Sequence, residues 1–350
     1  MKTIRGVNVK NKTVLVRVDY NVPVKNGKVI NNLRIKASLP TLEYLREAGA
    51  KKIILISHLG RPEGRDKSLS LAPVAESLGK LINNVSFIDD VSGPDVESAT
   101  KKIKDGGILL LENLRFYSGE TSNSDDFIRE IIDSTGADIY VQDGFAVIHR
   151  AHASTDVIKN HLPVYAGLLL EKEIENLDKC LKNPARPLVF IIGGAKVDDK
   201  KPLINKFVKK ADQILVGGKI AADGYKATSD KIYVATDFDE DATGAKLDIG
   251  PVSTAEFAKY IESAKTIVWN GLLGYAEDPA YATSSTIVAN LLGEKEDVTT
   301  IICGGDTTAF VEELMTTNKK LNYSLISTGG GATLEYLLGH NLPGLEAIEQ

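Results

Sequence analysis

The sequence predicts an α/β protein of two doubly wound parallel-sheet lobes joined by a helix. Short apolar runs rich in Val, Ile and Leu alternate with stretches whose apolar residues fall three and four apart, the pattern of buried parallel strands and amphipathic helices. Runs in the first half end in basic and polar residues, whereas runs in the second half end in glycines. Between the halves lies one long amphipathic segment, closed by Asn183, Pro184, Ala185, Arg186 and Pro187, where two prolines cannot extend a helix.

A chain of 350 residues suits two domains. With 43% apolar and 25% charged residues it has an ordinary globular composition. No apolar run reaches membrane-spanning length and Met1–Thr13 lacks a signal core, so a cytoplasmic protein is expected. Cys180 and Cys303 are too far apart in sequence to suggest a disulfide framework or zinc spacing. The net charge of −5 argues against nucleic-acid and polybasic membrane partners, while leaving room for local basic pockets.

In chain order, Val14–Val18 leads to Asp19, Tyr20, Asn21 and Pro23; Ile53–Ile56 to Ser57, His58, Gly60, Arg61 and Pro62; Ile108–Leu111 to Asn113 and Arg115; and Ile139–Val141 to Asp143, Phe145, His149, Arg150 and His152. Helical patterns at Leu39–Ala48 and Leu71–Ile82 separate them, giving the βαβ alternation of a Rossmann-like sheet. Ligands of such sheets sit at the carboxyl ends of the strands, where this reading gathers His58, Arg61, Arg115 and Arg150, with Arg34 just ahead of a helix. One strand-end arginine is ordinarily a surface residue, but four such strand ends suit a small phosphate or carboxylate ligand that guanidinium groups bind bidentately. Asp19 and Asn21 would take hydroxyls or orient the cations. His149 and His152 have a plainer alternative as loop-packing residues.

Val164–Lys182 places Leu170, Ile174, Leu177 and Leu181 on one face of a helix, a natural hinge between the lobes. Pro187–Lys200, PLVFIIGGAKVDDK, then reads as a central strand, a tight turn at Gly193–Gly194 and a helix opening near Ala195, with Lys196 and Lys200 one turn apart. A helix start beside two lysines suits an anion; two solvated lysines after a turn are the alternative, since the Walker pattern is incomplete. Further strand ends follow: Ile214–Val216 with Gly217 and Gly218, Thr266–Trp269 with Asn270, Gly271 and Gly274, Thr300–Ile302 with Gly304, Gly305, Asp306 and Thr307, and Ser324–Ile326 with Ser327–Gly331. So many glycine ends bring backbone close to a large ligand. The dinucleotide fingerprint is missing, so a nucleotide polyphosphate fits better. Asp306 either holds Mg²⁺ or caps a helix, and Thr307 is placed to meet a phosphate oxygen. Residues 221–250 carry little signal beyond a strand near Lys231–Val234.

RVDYNVP (Arg17–Pro23), SHLGRP (Ser57–Pro62), LENLRF (Leu111–Phe116), HRAHAST (His149–Thr155), GGAKVDDK (Gly193–Lys200), WNG (Trp269–Gly271), GGDT (Gly304–Thr307) and STGGGA (Ser327–Ala332) together resemble phosphoglycerate kinase, in order and across nearly the whole chain. The resemblance implies a bilobal, monomeric kinase that moves a phosphoryl group between 1,3-bisphosphoglycerate and Mg-ADP, giving 3-phosphoglycerate and ATP. It implies a glycerate-binding lobe over residues 1–163, an interdomain helix and linker over 164–186, a nucleotide lobe over 187–335, and a segment 336–350 returning to the first lobe. By motif, Asp19, Asn21, Arg34, His58, Arg61, Arg115 and Arg150 would bind the glycerate. Gly193, Gly194, Lys196, Lys200, Gly217, Asn270, Glu277, Gly304, Gly305, Asp306 and Thr307 would bind the nucleotide, Glu277 at its ribose and Asp306 through Mg²⁺. Arg34, Lys196 and Lys200 would carry catalysis.

The chain departs from the family pattern at Leu272 (usually proline), Cys303 (usually glycine), Ser284–Ser285 (usually Gly-Thr) and Gln142, Gly144, Ala146 and Val147, and its stretch from Gly218 to Asp248 is short. These departures bear on nucleotide affinity and loop geometry, and Cys303 beside the phosphate site suggests sensitivity to thiol modification. The competing expectations are a family member that binds nucleotide without turnover, supported by those departures, and a nicotinamide-dependent dehydrogenase, opposed by the missing fingerprint.

Overall fold

The structure, a computed structural model, describes residues 1–195 and 197–349. It divides into two units, one formed by Met1–Lys172 with the chain end from Asn341 onward, the other by Glu173–His340.

The sheet of the first unit contains β1 (Thr13–Arg17), β2 (Lys52–Ile56), β3 (Val85–Phe87), β4 (Gly107–Leu110), β5 (Ile139–Gln142) and β6 (Val164–Ala166). Their order is β3-β4-β2-β1-β5-β6 and every pairing is parallel. Val14, Leu15 and Val16 of β1 and Ile53–Ile56 of β2 are fully buried, as strands covered by helices on both faces must be. The polar residues that end β1, β2, β4 and β5 therefore emerge along one edge of the sheet.

The second unit again has six parallel strands, in a different order. It contains β7 (Leu188–Ile192), β8 (Gln213–Val216), β9 (Ile232–Val234), β10 (Thr266–Asn270), β11 (Thr299–Cys303) and β12 (Leu325–Ile326), ordered β9-β8-β7-β10-β11-β12 and parallel throughout. All five residues of β7 are buried. Phe190 stacks on Phe207 with ring centroids 3.9 Å apart, so the strand carries the packing of the helix that follows it.

Several elements differ from the sequence expectation. The first helix runs over Leu33–Glu47, six residues earlier than Leu39, and takes Arg34 into its first turn. Propensity alone does not mark this start because Asn32 makes no side-chain cap. Residues 164–166 form β6 rather than the beginning of the interdomain helix, which runs over Leu168–Leu181. Val164 and Tyr165 favour an extended chain, and pairing with Tyr140–Gln142 satisfies their backbone. In residues 221–250, β9 is accompanied by an antiparallel hairpin of Phe238–Glu240 and Lys246–Ile249.

The helix Leu168–Leu181 contains the division between the units. Within the first unit Leu168 N donates to Thr41 Oγ1 (2.9 Å) and Leu169 N to Asp143 Oδ1 (3.0 Å). Within the second, Thr328 N and Oγ1 donate to Glu173 Oε1 (2.6 and 2.9 Å) and Tyr336 OH donates to Asp178 Oδ1 (2.7 Å). The helix Pro343–Glu349 belongs to the first unit, where Gly344 N donates to Ile148 O at 2.9 Å.

Candidate active site

At the carboxyl edge of the first sheet, basic side chains face one another. Arg34 is ion-paired to Asp19, whose other oxygen lies 4.0 Å from His58 Nδ1. Arg115 Nη1 donates to Gly60 O (2.6 Å), and Asn21 Oδ1 accepts from Gly60 N (2.9 Å), so Asn21 shapes the loop that carries His58 and Arg61. Asn113, at the end of β4, clasps the same loop through Leu59 N (3.2 Å) and Leu59 O (2.8 Å). Burial, then Arg17, Arg115, Arg150 and Arg34, hold the His58 pKa well below its ordinary value. Burial, then Arg150 and Arg17, bring the Arg115 guanidinium down to about 10; burial and then Arg61 lower Arg150. Cations that depress one another in this way form a site whose charge calls for an anion.

Arg17, which is not among the expected site residues, underlies the cluster. It is fully buried; its Nη2 donates to His58 Nδ1 (3.1 Å) and its Nε to Ser154 Oγ (3.0 Å). A guanidinium can only donate, so His58 Nδ1 must accept and the neutral imidazole carries its proton on Nε2. Buried Glu120 lies 3.9 Å from Arg17 Nη2 and accepts from Ser154 Oγ at 2.6 Å. His152, 3.8 Å from Glu120, is pushed down to about 4 by burial and then by Arg115 and Arg17. The signal for Arg17 was a charged residue closing an otherwise apolar strand and leading directly to Asp19. Glu120 and Ser154 had none, since their pairing joins segments 34 residues apart.

In the second unit a cavity of about 710 Å³ opens at the glycine ends of the strands. Its wall includes Gly194, Lys200, Glu277, Gly304, Gly305, Asp306 and Thr307 among the expected residues. Lys200 Nζ donates to Asn270 Oδ1 at the end of β10. Thr307 Oγ1 accepts from Gly271 N (2.9 Å), which leaves its hydroxyl proton for a ligand oxygen. Gly304 precedes the helix Gly305–Thr317 and no side chain caps it, so the first N–H groups remain for an anion. Asp306 is exposed in the first turn.

Not every expected glycine meets this space. A methyl on Gly193 would lie 2.2 Å from Leu272 O, and one on Gly217 would lie 2.7 Å from the Leu273 side chain, so both serve close packing of the walls. Gly218, Gly330 and Gly331 line the cavity instead, and Phe238, Leu247, Tyr275 and Leu334, with Lys246 beside them, form a side that sequence reasoning did not find. Phe238 and Lys246 lie on the hairpin, where Lys246 Nζ sits 4.6 Å from the Phe238 ring centre. Lys196, expected beside Lys200, lies outside the described residues.

A family model described as phosphoglycerate kinase matches residues 4–242 and 223–340. The chain belongs to the phosphoglycerate kinase family. It is 41% identical to the phosphoglycerate kinase of Moorella thermoacetica over 395 aligned positions, covering 99% of both chains, and 38% identical to that of Dictyoglomus turgidum, covering 99% of this chain and 98% of the relative. Among solved structures it resembles the phosphoglycerate kinase of Coxiella burnetii (34% identity, TM-score 0.80, 99% of this chain and 98% of that one). It also resembles that of Pyrococcus horikoshii (28% identity, TM-score 0.88, 100% and 98%). Membership in the phosphoglycerate kinase family makes the chain a phosphotransferase with a carboxyl acceptor and sets the dehydrogenase expectation aside.

The aligned positions outnumber the residues of this phosphoglycerate kinase family member, so the Moorella relative carries segments that this chain lacks. The departures from the family pattern are accommodated locally. Leu272 O accepts from Gly194 N (2.8 Å), Ser285 Oγ accepts from Leu273 N (3.0 Å), and Ser284 N donates to Asp248 Oδ2 (3.0 Å). Cys303 is fully buried and its thiol is pushed up to about 11 by burial, which removes both the access and the thiolate that modification would need.

Proposed function

We propose that the chain catalyses reversible phosphoryl transfer between 1,3-bisphosphoglycerate and Mg-ADP, with the glycerate held by the first unit and the nucleotide by the second. The observation that carries the reading is the guanidinium cluster around His58, a buried excess of positive charge matched to a small substrate bearing a phosphate and a carboxylate. Asp19, Asn21, Arg34, His58, Arg61, Arg115 and Arg150 are the glycerate-binding residues of this proposal, supported from below by Arg17.

In the direction of ATP use, a carboxylate oxygen of 3-phosphoglycerate forms a bond to the γ-phosphorus while the bond to the β–γ bridging oxygen breaks. The carboxylate is already ionised, so no base is required. Catalysis then rests on alignment and on fixed positive charge at the equatorial oxygens. Lys200 supplies one such charge and Arg34 the other, brought together when the lobes close about the helix Leu168–Leu181, which also excludes water. Lys196 is assigned a similar role by motif alone. Gly304, Gly305, Thr307, Gly194 and Asn270 receive the nucleotide phosphates, and Glu277 the ribose.

Among the described residues no group of three or more His, Cys, Asp or Glu side chains is arranged to hold a metal. Asp306, exposed in the first turn of its helix on the cavity wall, fits Mg²⁺ that arrives on the nucleotide, because this ion keeps several waters and takes most other ligands from phosphates. When bound, Mg²⁺ neutralises phosphate charge. The proposal further holds that the enzyme is a cytoplasmic monomer without nucleic-acid or membrane partners.

The test is ADP formation from Mg-ATP with and without 3-phosphoglycerate, the acyl phosphate product being drained by a coupling enzyme. Turnover that requires 3-phosphoglycerate is expected. Binding of Mg-ADP without turnover would overturn the catalytic reading.

A further inference from the structure

We propose that Cys303 is a positioning residue for phosphoryl transfer, acting through Asn270 to hold the ammonium group of Lys200. Asn270 ends β10 and Cys303 ends β11, and the two residues are direct partners in the sheet register. Both are buried, at 1% and 0% exposure. Lys200 Nζ donates to Asn270 Oδ1, Asn270 Nδ2 donates to Cys303 Sγ at 3.3 Å, and Cys303 Sγ donates to Trp269 O at 3.4 Å. These bonds form one directed chain from the catalytic ammonium to the backbone of β10.

The direction of each bond follows from chemistry. An ammonium has no lone pair, so the amide must present its oxygen to Lys200 and its NH₂ to the opposite side. There the NH₂ needs an acceptor, and the thiol sulfur is placed to provide one. A thiol both accepts and donates weakly, which lets Cys303 pass the bond on to Trp269 O. Burial keeps this thiol protonated, with its pKa pushed up to about 11, and so preserves its donor. Removing the sulfur frees the amide to turn over, and a reversed amide sets NH₂ against the ammonium. Lys200 then occupies a wider range of positions, which harms a step that depends on fixed charge more than it harms ground-state binding.

The inference rests on the catalytic reading of Lys200, so the experiment is a double-mutant cycle with wild type, Cys303→Ala, Lys200→Ala and the double variant, all assayed for kcat and for KM of ADP. Cys303→Ala is expected to lower kcat about tenfold, the equivalent of one lost hydrogen bond, with KM within about twofold. On the Lys200→Ala background the same change is expected to cost less than about twofold, because the chain no longer ends on an ammonium. Cys303→Ser, which keeps an acceptor and a donor, is expected to restore most of the rate. An equal loss on both backgrounds, an unchanged kcat, or no difference between Ser and Ala would overturn the proposal while leaving the Lys200 reading intact. Near-normal turnover of Lys200→Ala would instead overturn that reading, and this inference with it. Should Cys303→Ala not fold, Cys303→Val fills the thiol's volume without an acceptor and enters the same cycle.

Discussion

Five guanidinium groups, those of Arg17, Arg34, Arg61, Arg115 and Arg150, crowd one end of the first sheet, and each makes its neighbours' charges more costly. The two carboxylates within reach, Asp19 and Glu120, offset this only in part, which leaves the cluster net positive. In the second unit the cavity wall carries Lys200, Lys219 and Lys246. Lys200→Ala is expected to lower kcat by about 10²–10³, as loss of a donor made for the transition state does, with a smaller change in KM. Steady-state kinetics in both substrates test this; near-normal kcat with a raised KM would make Lys200 a binding residue only. At this scale the sequence was informative where chemistry stood at a strand end, as for His58, Arg115 and Asp306. It was silent on Glu120 and Ser154, whose roles come from contacts across the fold rather than from neighbouring residues.

Among the elements, the turns after β7 and β10 meet at the wall of the second unit's cavity. Gly271 has φ +99°, and a methyl built on it would lie 2.2 Å from Gly193 O, while one on Gly193 would meet Leu272 O at the same distance. Two backbones thus touch where side chains would hold them apart. Gly271→Ala combines left-handed strain with overpacking and is expected to destabilise the protein by more than about 2 kcal/mol. Gly79→Ala, in the helix Ala72–Gly79 with nothing within 4 Å of the added methyl, is expected to stabilise it by about 0.5 kcal/mol. Urea unfolding of both variants provides the check, and a Gly271→Ala protein as stable as wild type would contradict the packing account. The glycines themselves were legible in the sequence, but which face ligand and which face backbone was not. A methyl on Gly193 or Gly217 would meet the cavity's supporting walls, and Gly218, Gly330 and Gly331 line the cavity.

Across the whole molecule, pH acts on stability through groups of opposite sign. Asp143 is fully buried beneath the start of the helix Leu168–Leu181, and burial pushes its carboxyl up to about 7. The folded protein therefore holds a proton that the unfolded chain releases near pH 4, and the associated stability is lost as pH rises toward about 7. His58 and His152 behave in the opposite sense: both stay neutral below their ordinary pKa, so stability is lost as pH falls below about 6.5. Relative to Asp143→Asn, wild type should lose stability as pH rises from about 4 to about 7 and differ by a constant amount above that. Urea unfolding at pH 4.5, 5.5, 6.5 and 7.5 measures the difference, and a gap independent of pH would show that Asp143 ionises alike in both states.

The order of apolar runs by itself determined two parallel sheets, because strands buried on both faces must be apolar throughout and their connections must be helical. Polar strand ends likewise marked the sheet edges where the basic cluster and the glycine-lined cavity lie, since chain leaving a buried strand is the first able to present charge. Tertiary structure alone decided what stands beneath those ends. The Arg17–Ser154–Glu120 network, the hairpin that carries Phe238 and Lys246 into the cavity, and the bond from Asn270 to Cys303 each join residues distant in sequence. Local periodicity reports only which face of an element is buried. Which two faces meet depends on strand order, and strand order is a property of the folded sheet.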